Sequence, residues 1–179
     1  MGAYELAVVG TAILYFFASI DYVRHAWRRT TNPVPATWIL MVTVMSLSFW
    51  MYRVSSRYTS TGNIALTSGL VNTIIILIGV LARHVRDNTL HVAFDTTQKW
   101  CLAAGVAVTV FWCFARDPLT AYILVQCIAI TAYIGTVRRL WSARKSTEPY
   151  FNWICVLSAC LLAMYPAWVK HDIYSWIYL

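Results

Sequence analysis

Charge is what this sequence has least of. Only 12% of its 179 residues are charged, and 60% are hydrophobic, with a mean hydropathy of +0.61. A soluble domain carries roughly 25% charged residues. One small core cannot hide that apolar excess, so lipid must solvate most of the chain. The seven carboxylates are Glu5, Asp21, Asp87, Asp95, Asp117, Glu148 and Asp172. None falls at mid-span and no arginine series lines an apolar run, which weighs against proton-coupled pumping and excludes voltage sensing. The five cysteines all sit inside apolar runs without a CxxC pair. A disulfide framework or zinc site is therefore not expected, and the thiols serve as small apolar residues in helix packing. There is no glycine-rich phosphate loop, no HExxH, and no nucleophile–base–orienter set, so neither an enzyme nor a cofactor is expected. His84 and His91 share a loop with Asp87 and Asp95, but seven-residue spacing in a loop is thin support for a metal. The start lacks a basic region, so the first apolar run reads as a retained span rather than a cleaved signal.

What is present is a series of apolar runs. Six are long enough to cross a bilayer, at 6–22, 36–52, 64–81, 97–115, 119–137 and 150–168. A seventh begins at Ile173 and meets the last residue, Leu179; seven residues cannot span roughly 30 Å of hydrocarbon. Asn32-Pro33 breaks the chain before the second run. Asp117-Pro118 offers a cap and a first-turn proline to the fifth. Of the fourteen Lys and Arg residues, ten lie in the odd-numbered loops, clustered at 24–29, 83–86, 99 and 138–145. Only Arg53, Arg57, Arg116 and Lys170 lie in even loops. The positive-inside rule then puts odd loops in the cytoplasm and the N-terminus outside. The net charge of +7 is a topology signal, and nucleic acid is not an expected partner. An integral protein of a plasma membrane, such as the bacterial inner membrane, is expected.

One basic stretch occurs twice. Val23-Arg24-His25-Ala26-Trp27 aligns with Val137-Arg138-Arg139-Leu140-Trp141, an offset of 114. Each copy runs through a proline-containing turn and re-enters an apolar run at a tryptophan, Trp38 or Trp153. The expected architecture is all-α: a polytopic membrane bundle of two parallel triple-helix bundles joined by a linker helix. This 3+1+3 plan assigns 1–84 to the first bundle, 85–116 to a cytoplasmic loop and linker helix, and 117–179 to a second, incomplete bundle. Two pseudo-symmetric halves with a site between them is a transporter layout.

Lys145-Ser146-Thr147-Glu148, set between two apolar runs and followed by an aromatic-rich helix, resembles the loop of the SWEET and SemiSWEET (PQ-loop, MtN3-type) sugar carriers. Asn32-Pro33 with Ala36-Thr37-Trp38, and Asp117-Pro118-Leu119-Thr120-Ala121, resemble small uncharacterised bacterial membrane proteins of the same build. Arg144-Lys145 with Asn152-Trp153 is similar to a segment of vitamin uptake permeases of the nicotinamide-riboside type. The resemblance implies triple-helix bundles, alternating access to a central pocket and room for a homo-oligomer. It also implies that Asn72, in the third run, reads a solute hydroxyl. The hinge proline of the family's first helices is replaced here by Asp21-Tyr22 and Gly135-Thr136.

The candidate substrate-binding residues are Asn72, Gln126, Trp38, Trp153 and Asn152. An amide both donates and accepts, which suits a neutral polyol. The same amides could instead tie helices together, and tryptophans at span ends could be interface anchors. Asp21 is either a proton site or half of an ion pair with Arg24. Two functions follow. One is a facilitative carrier of a small neutral or weakly polar solute, a sugar or a vitamin-like molecule. The other is a non-transporting membrane subunit or sensor that acts through a protein partner.

Overall fold

The structure, a computed structural model, describes residues 2–59, 61–142 and 148–179. Among these residues all regular structure is helical. The helices are α1 (Ala3–Trp27), α2 (Pro35–Arg53), α3 (Ile64–Arg86), α4 (Thr96–Ala115), α5 (Pro118–Ser142), α6 (Tyr150–Lys170) and the short α7 (Ile173–Tyr178). Every apolar run of the sequence lies within a helix. Among the described residues five helices, α1 to α4 and α6, are long and apolar enough to cross a membrane.

The boundaries follow local chemistry. Val34 is held extended before Pro35, the first residue of α2. Asn63 caps α3 by accepting from Leu66 N at 3.2 Å. Asp95 and Gln98 form a reciprocal capping box at the start of α4, with bonds of 2.7 and 3.0 Å. Asp117 accepts from Leu119 N at the start of α5. α4 and α6 end on left-handed residues, Arg116 and His171.

Packing inverts the pattern of a soluble protein. Along α1, Leu6, Val9, Ile13, Phe16, Phe17 and Ile20 face outward. The inward face is small or polar: Ala7, Thr11, Ala18, Ser19 and Ala26, with Tyr15 and Tyr22 between them. α6 answers with Cys155, Ala159, Ala163 and Ala167, a buried small residue every four positions. Its Ile154, Leu157, Leu161 and Trp168 face out. Small residues let two helix backbones approach closely in lipid, where van der Waals contact, not water exclusion, holds helices together. α1 and α6 accordingly form the most extensive helix pair in the molecule. A Cβ on Gly10 of α1 would lie 2.6 Å from Leu162 Cδ2 of α6, so a larger residue there would make the Leu162 side chain shift.

The other contacts are simple to state. α3 lies against both α1 and α2, and α2 also packs on α5. α4 lies against α5 and, less, against α2. α7 touches α3, α5 and α6. At the odd-loop end, Arg29 pairs with Asp87 at 3.1 Å, with Arg83 and Arg86 nearby. Arg83 also donates to Thr31 O, and Trp27 Nε1 donates to Gly79 O. Burial pushes the Asp87 carboxyl up, but the Arg29 hydrogen bond and the three guanidinium charges outweigh it and hold the group below the usual carboxylate range.

The two copies of the basic repeat differ in setting. Trp27 is hydrogen-bonded and carries the Arg86 guanidinium over its ring at 4.7 Å, whereas Trp141 is 89% exposed. Of the Lys145-Ser146-Thr147-Glu148 segment, only Glu148 lies within the described residues. Arg138, Arg139 and Leu140 of the second copy lie outside those whose side chains are described.

The α1–α6 seam has a direct test. Ala163→Leu should lower stability in detergent by about 1–3 kcal/mol through overpacking. Leu161→Ala, on the outward face, should cost much less. Thermal unfolding of the two purified variants measures the difference, and equal losses would mean that the seam is not what holds α6.

Candidate functional site

One cavity draws residues from every helix except α4. Its walls are Tyr15 and Tyr22 of α1, Thr37, Trp38, Met41 and Met45 of α2, and Gly69, Asn72 and Thr73 of α3. Tyr133 of α5, Asn152, Trp153 and Val156 of α6 and Tyr178 of α7 complete it, with Val34 and Glu148 at the rim. The space between the walls is about 720 Å³, open solvent at the mouth included, of which about 70 Å³ admits the centre of a water molecule. One water needs about 10–15 Å³ on that second measure, so several waters or a small solute fit.

Four of the five residues singled out in the sequence meet here: Asn72, Asn152, Trp38 and Trp153. Asn72 and Asn152 are 7% and 3% exposed. The Oδ1 of each is buried without a hydrogen-bond partner among the described residues. Most buried polar atoms are paired, and one that is not needs an explanation. Both residues belong to the cavity wall, and in this state neither Oδ1 is open to a water molecule. Trp38 stacks edge-on against Tyr22, with ring centroids 4.8 Å apart. Tyr22 in turn donates to Glu148 Oε1 at 3.4 Å. Trp38 and Trp153, which the repeat aligns with one residue of slip, thus both line one cavity.

Gln126 is elsewhere. Its Nε2 donates to Ser48 Oγ at 2.9 Å across the α2–α5 contact, where it ties two helices together. Asp21 does not pair with Arg24; its ion-pair neighbour among the described residues is His25, one turn on, at 3.4 Å. Two further thiols, Cys101 and Cys155, are buried, and the cysteines are free. Among the described residues no group of three His, Cys, Asp or Glu side chains could hold a metal.

The cavity has two unlike ends. Tyr22, Val34, Thr37, Trp38, Glu148, Asn152 and Trp153 belong to the odd-loop ends of their helices. At the deeper end Tyr178 fills the notch left by Gly69, where a Cβ would lie 2.5 Å from the Tyr178 hydroxyl. Tyr178 also donates to Met45 Sδ at 3.7 Å. Beyond Tyr178 the structure is sealed by a polar-aromatic cluster. Tyr122 meets Tyr174 edge-on at 5.0 Å, and Tyr52 lies 5.6 Å from Tyr174. Asn63 donates to Tyr122 Oη, and Tyr52 Oη donates to Thr59 O. Ser175 Oγ lies 2.9 Å from both Gly62 O and Asp172 Oδ2. This cluster joins α2, α3, α5 and α7 at the even-loop end.

Sequence reasoning missed the tyrosines. Tyr15 and Tyr22 stand seven residues apart and so share a helix face, which was a usable signal. Asp172, Tyr122 and Tyr174 carried none, because their meeting depends on how distant helices pack. No family model matches the chain, and no curated protein or solved structure is similar to it at a meaningful level.

The geometry separates the two kinds of amide. Gln126→Ala should cost stability by about 0.6–2 kcal/mol, the range for an interhelical hydrogen bond in a membrane. Asn72→Ala should cost less, because the Oδ1 it removes has no hydrogen-bond partner among the described residues. Reversible unfolding in mixed micelles measures both, and a larger loss for Asn72→Ala would make Asn72 a structural residue.

Proposed function

We propose that this chain is a facilitative membrane carrier of a small neutral or weakly polar solute, working by alternating access. The observation that carries the reading is the convergence of Asn72, Asn152, Trp38 and Trp153 on one cavity, with a hydrogen-bonded aromatic cluster at the even-loop end of the helices. Two amides read the solute's polar groups, and the two tryptophans bound its faces.

The packing supports a two-bundle plan. α3 lies against α1 and α2, and α7 against α5 and α6. The pairs between the sets are α1 with α6 and α2 with α5, with smaller contacts of α3 on α6 and on α7. Exchanging α1 with α5, α2 with α6 and α3 with α7 maps all of these onto one another except that of α3 with α6. On this reading residues 1–84 and 117–179 are parallel triple-helix bundles and 85–116 is the linker, as in the SWEET-like carriers that the sequence resembles. The charge distribution then gives an N-terminus outside, a cavity mouth in the cytoplasm and a sealed outer end. Gly69 and Tyr178 limit the depth that a solute reaches.

Uptake of labelled sugars, nucleosides and vitamins into proteoliposomes tests the reading. At least one solute should enter saturably, and Asn72→Ala should slow it about tenfold, the effect of losing one hydrogen bond of about 1.4 kcal/mol. If no solute enters faster than into empty vesicles while the protein remains folded, the chain is a membrane subunit that acts through a protein partner.

A further inference from the structure

A second hollow backs onto the cavity. It is a groove between α1 and α3, with Phe16 of α1 and Val71 of α3 on its walls. Both are more than half exposed, on the sides of their helices that meet lipid. The groove encloses about 470 Å³, its open side included, of which about 200 Å³ admits the centre of a water molecule. Ala12 and Ser19, also on its wall, lie nine residues from one end of α1 and eight from the other. That is about 12–14 Å inside the helix. In a spanning α1 the groove therefore opens into hydrocarbon, not among headgroups.

The partition between the two hollows is one side chain thick. Tyr15 and Asn72 line both the groove and the cavity, and no other residue of the two linings does. The Tyr15 ring passes over Gly69, where a Cβ would lie 3.7 Å from its Cζ. Its hydroxyl then meets Cys160 Sγ of α6 at 3.5 Å, and a thiol is a weak hydrogen-bonding partner. Asn72 Oδ1 has no hydrogen-bond partner among the described residues. On the groove side Thr67 and Ser68 add hydroxyls to the wall, which a hydrocarbon chain alone has no use for.

We propose that this groove is a lateral portal through which an amphipathic solute, with a neutral polar head and an apolar chain, passes between the bilayer and the cavity. The proposal rests on the carrier reading and narrows its substrate class. A turn of the Tyr15 side chain away from Gly69 joins the two hollows. The head then lodges in the cavity beside Asn72 and Asn152. The chain runs past Tyr15 into the groove, where Phe16, Val71 and lipid cover it and it never meets water.

The test uses the full chain in liposomes with a small apolar diazirine dissolved in the lipid. After illumination, mass spectrometry maps the label. Met41 and Met45 are buried and line the cavity but not the groove, so label on them has crossed the partition. Tyr15→Ala should raise that label severalfold. Ala12→Phe or Ser68→Phe, added to Tyr15→Ala to fill the groove, should abolish the gain, and either suffices if the other does not fold. A gain on the two methionines that persists with the groove filled came by another route and overturns the portal. So does label confined to Phe16 and Val71 in Tyr15→Ala, which makes the groove a seat for a lipid chain only. Uptake supplies the second arm: Ala12→Phe should slow an alkylated derivative of a transported solute and leave the parent solute unchanged. Equal effects on the two overturn the substrate class. If no variant transports any solute, the carrier reading fails, and the label alone decides whether the portal exists.

Discussion

The close approach of α1 and α6 is the constraint on which the rest of this structure depends. In lipid the helices gain nothing from hiding leucines from one another, so contact must come from surfaces that fit at short range. Ala7, Thr11, Ala18 and Ala26 on one side, and Cys155, Ala159, Ala163 and Ala167 on the other, provide them. Gly10 leaves room for the end of the Leu162 side chain. The large side chains of this interface, Tyr15 and Tyr22, are displaced toward α2, α3 and α7, and there they become walls of the cavity. The seam and the site are consequently two faces of one packing solution.

The chemistry of the cavity follows from what is not placed in it. Polar side chains elsewhere in the interior are satisfied locally: Thr11, Ser19 and Ser48 bond to carbonyls one turn back, and Gln126 finds Ser48. Asn72 and Asn152 do not. Each leaves an Oδ1 unpaired among the described residues, in a wall that also holds Tyr22, Trp38, Trp153 and Tyr178. The sealed end has the opposite character. Asn63 donates to Tyr122, and Ser175 lies within hydrogen-bond distance of Asp172 and the Gly62 carbonyl, so these polar groups are met at the even-loop end.

The helices were legible in the sequence because spanning runs and their breakers are local signals. Asn32-Pro33, Asp117-Pro118 and the run boundaries near 64, 97 and 150 each mark an observed end to within a residue or two. Asn72 stood out for the same reason, as an amide in the middle of an apolar run. Gln126 stood out equally, and only the position of Ser48, 78 residues away, distinguishes its role from that of Asn72. The Asp21–Arg24 spacing suggested an ion pair, but the rotamers put His25 there. Tyrosines were hard to read because a tyrosine near a span end serves equally well as an interface anchor. The basic repeat was a fair guide to Trp38 and Trp153 and a poor one to Trp27 and Trp141, whose surroundings differ.

Whether the two ends of the cavity open alternately is the central question, and a distance measurement answers it most directly. Arg53 closes α2 and Lys170 closes α6, both exposed at the even-loop end. Spin labels carried there on unnatural amino acids avoid the five native cysteines, and pulsed electron resonance in lipid nanodiscs reads the separation. The account predicts two separations, a short one matching the sealed end and a longer one, with weights that shift on adding a transported solute. One narrow separation that no solute alters would contradict it.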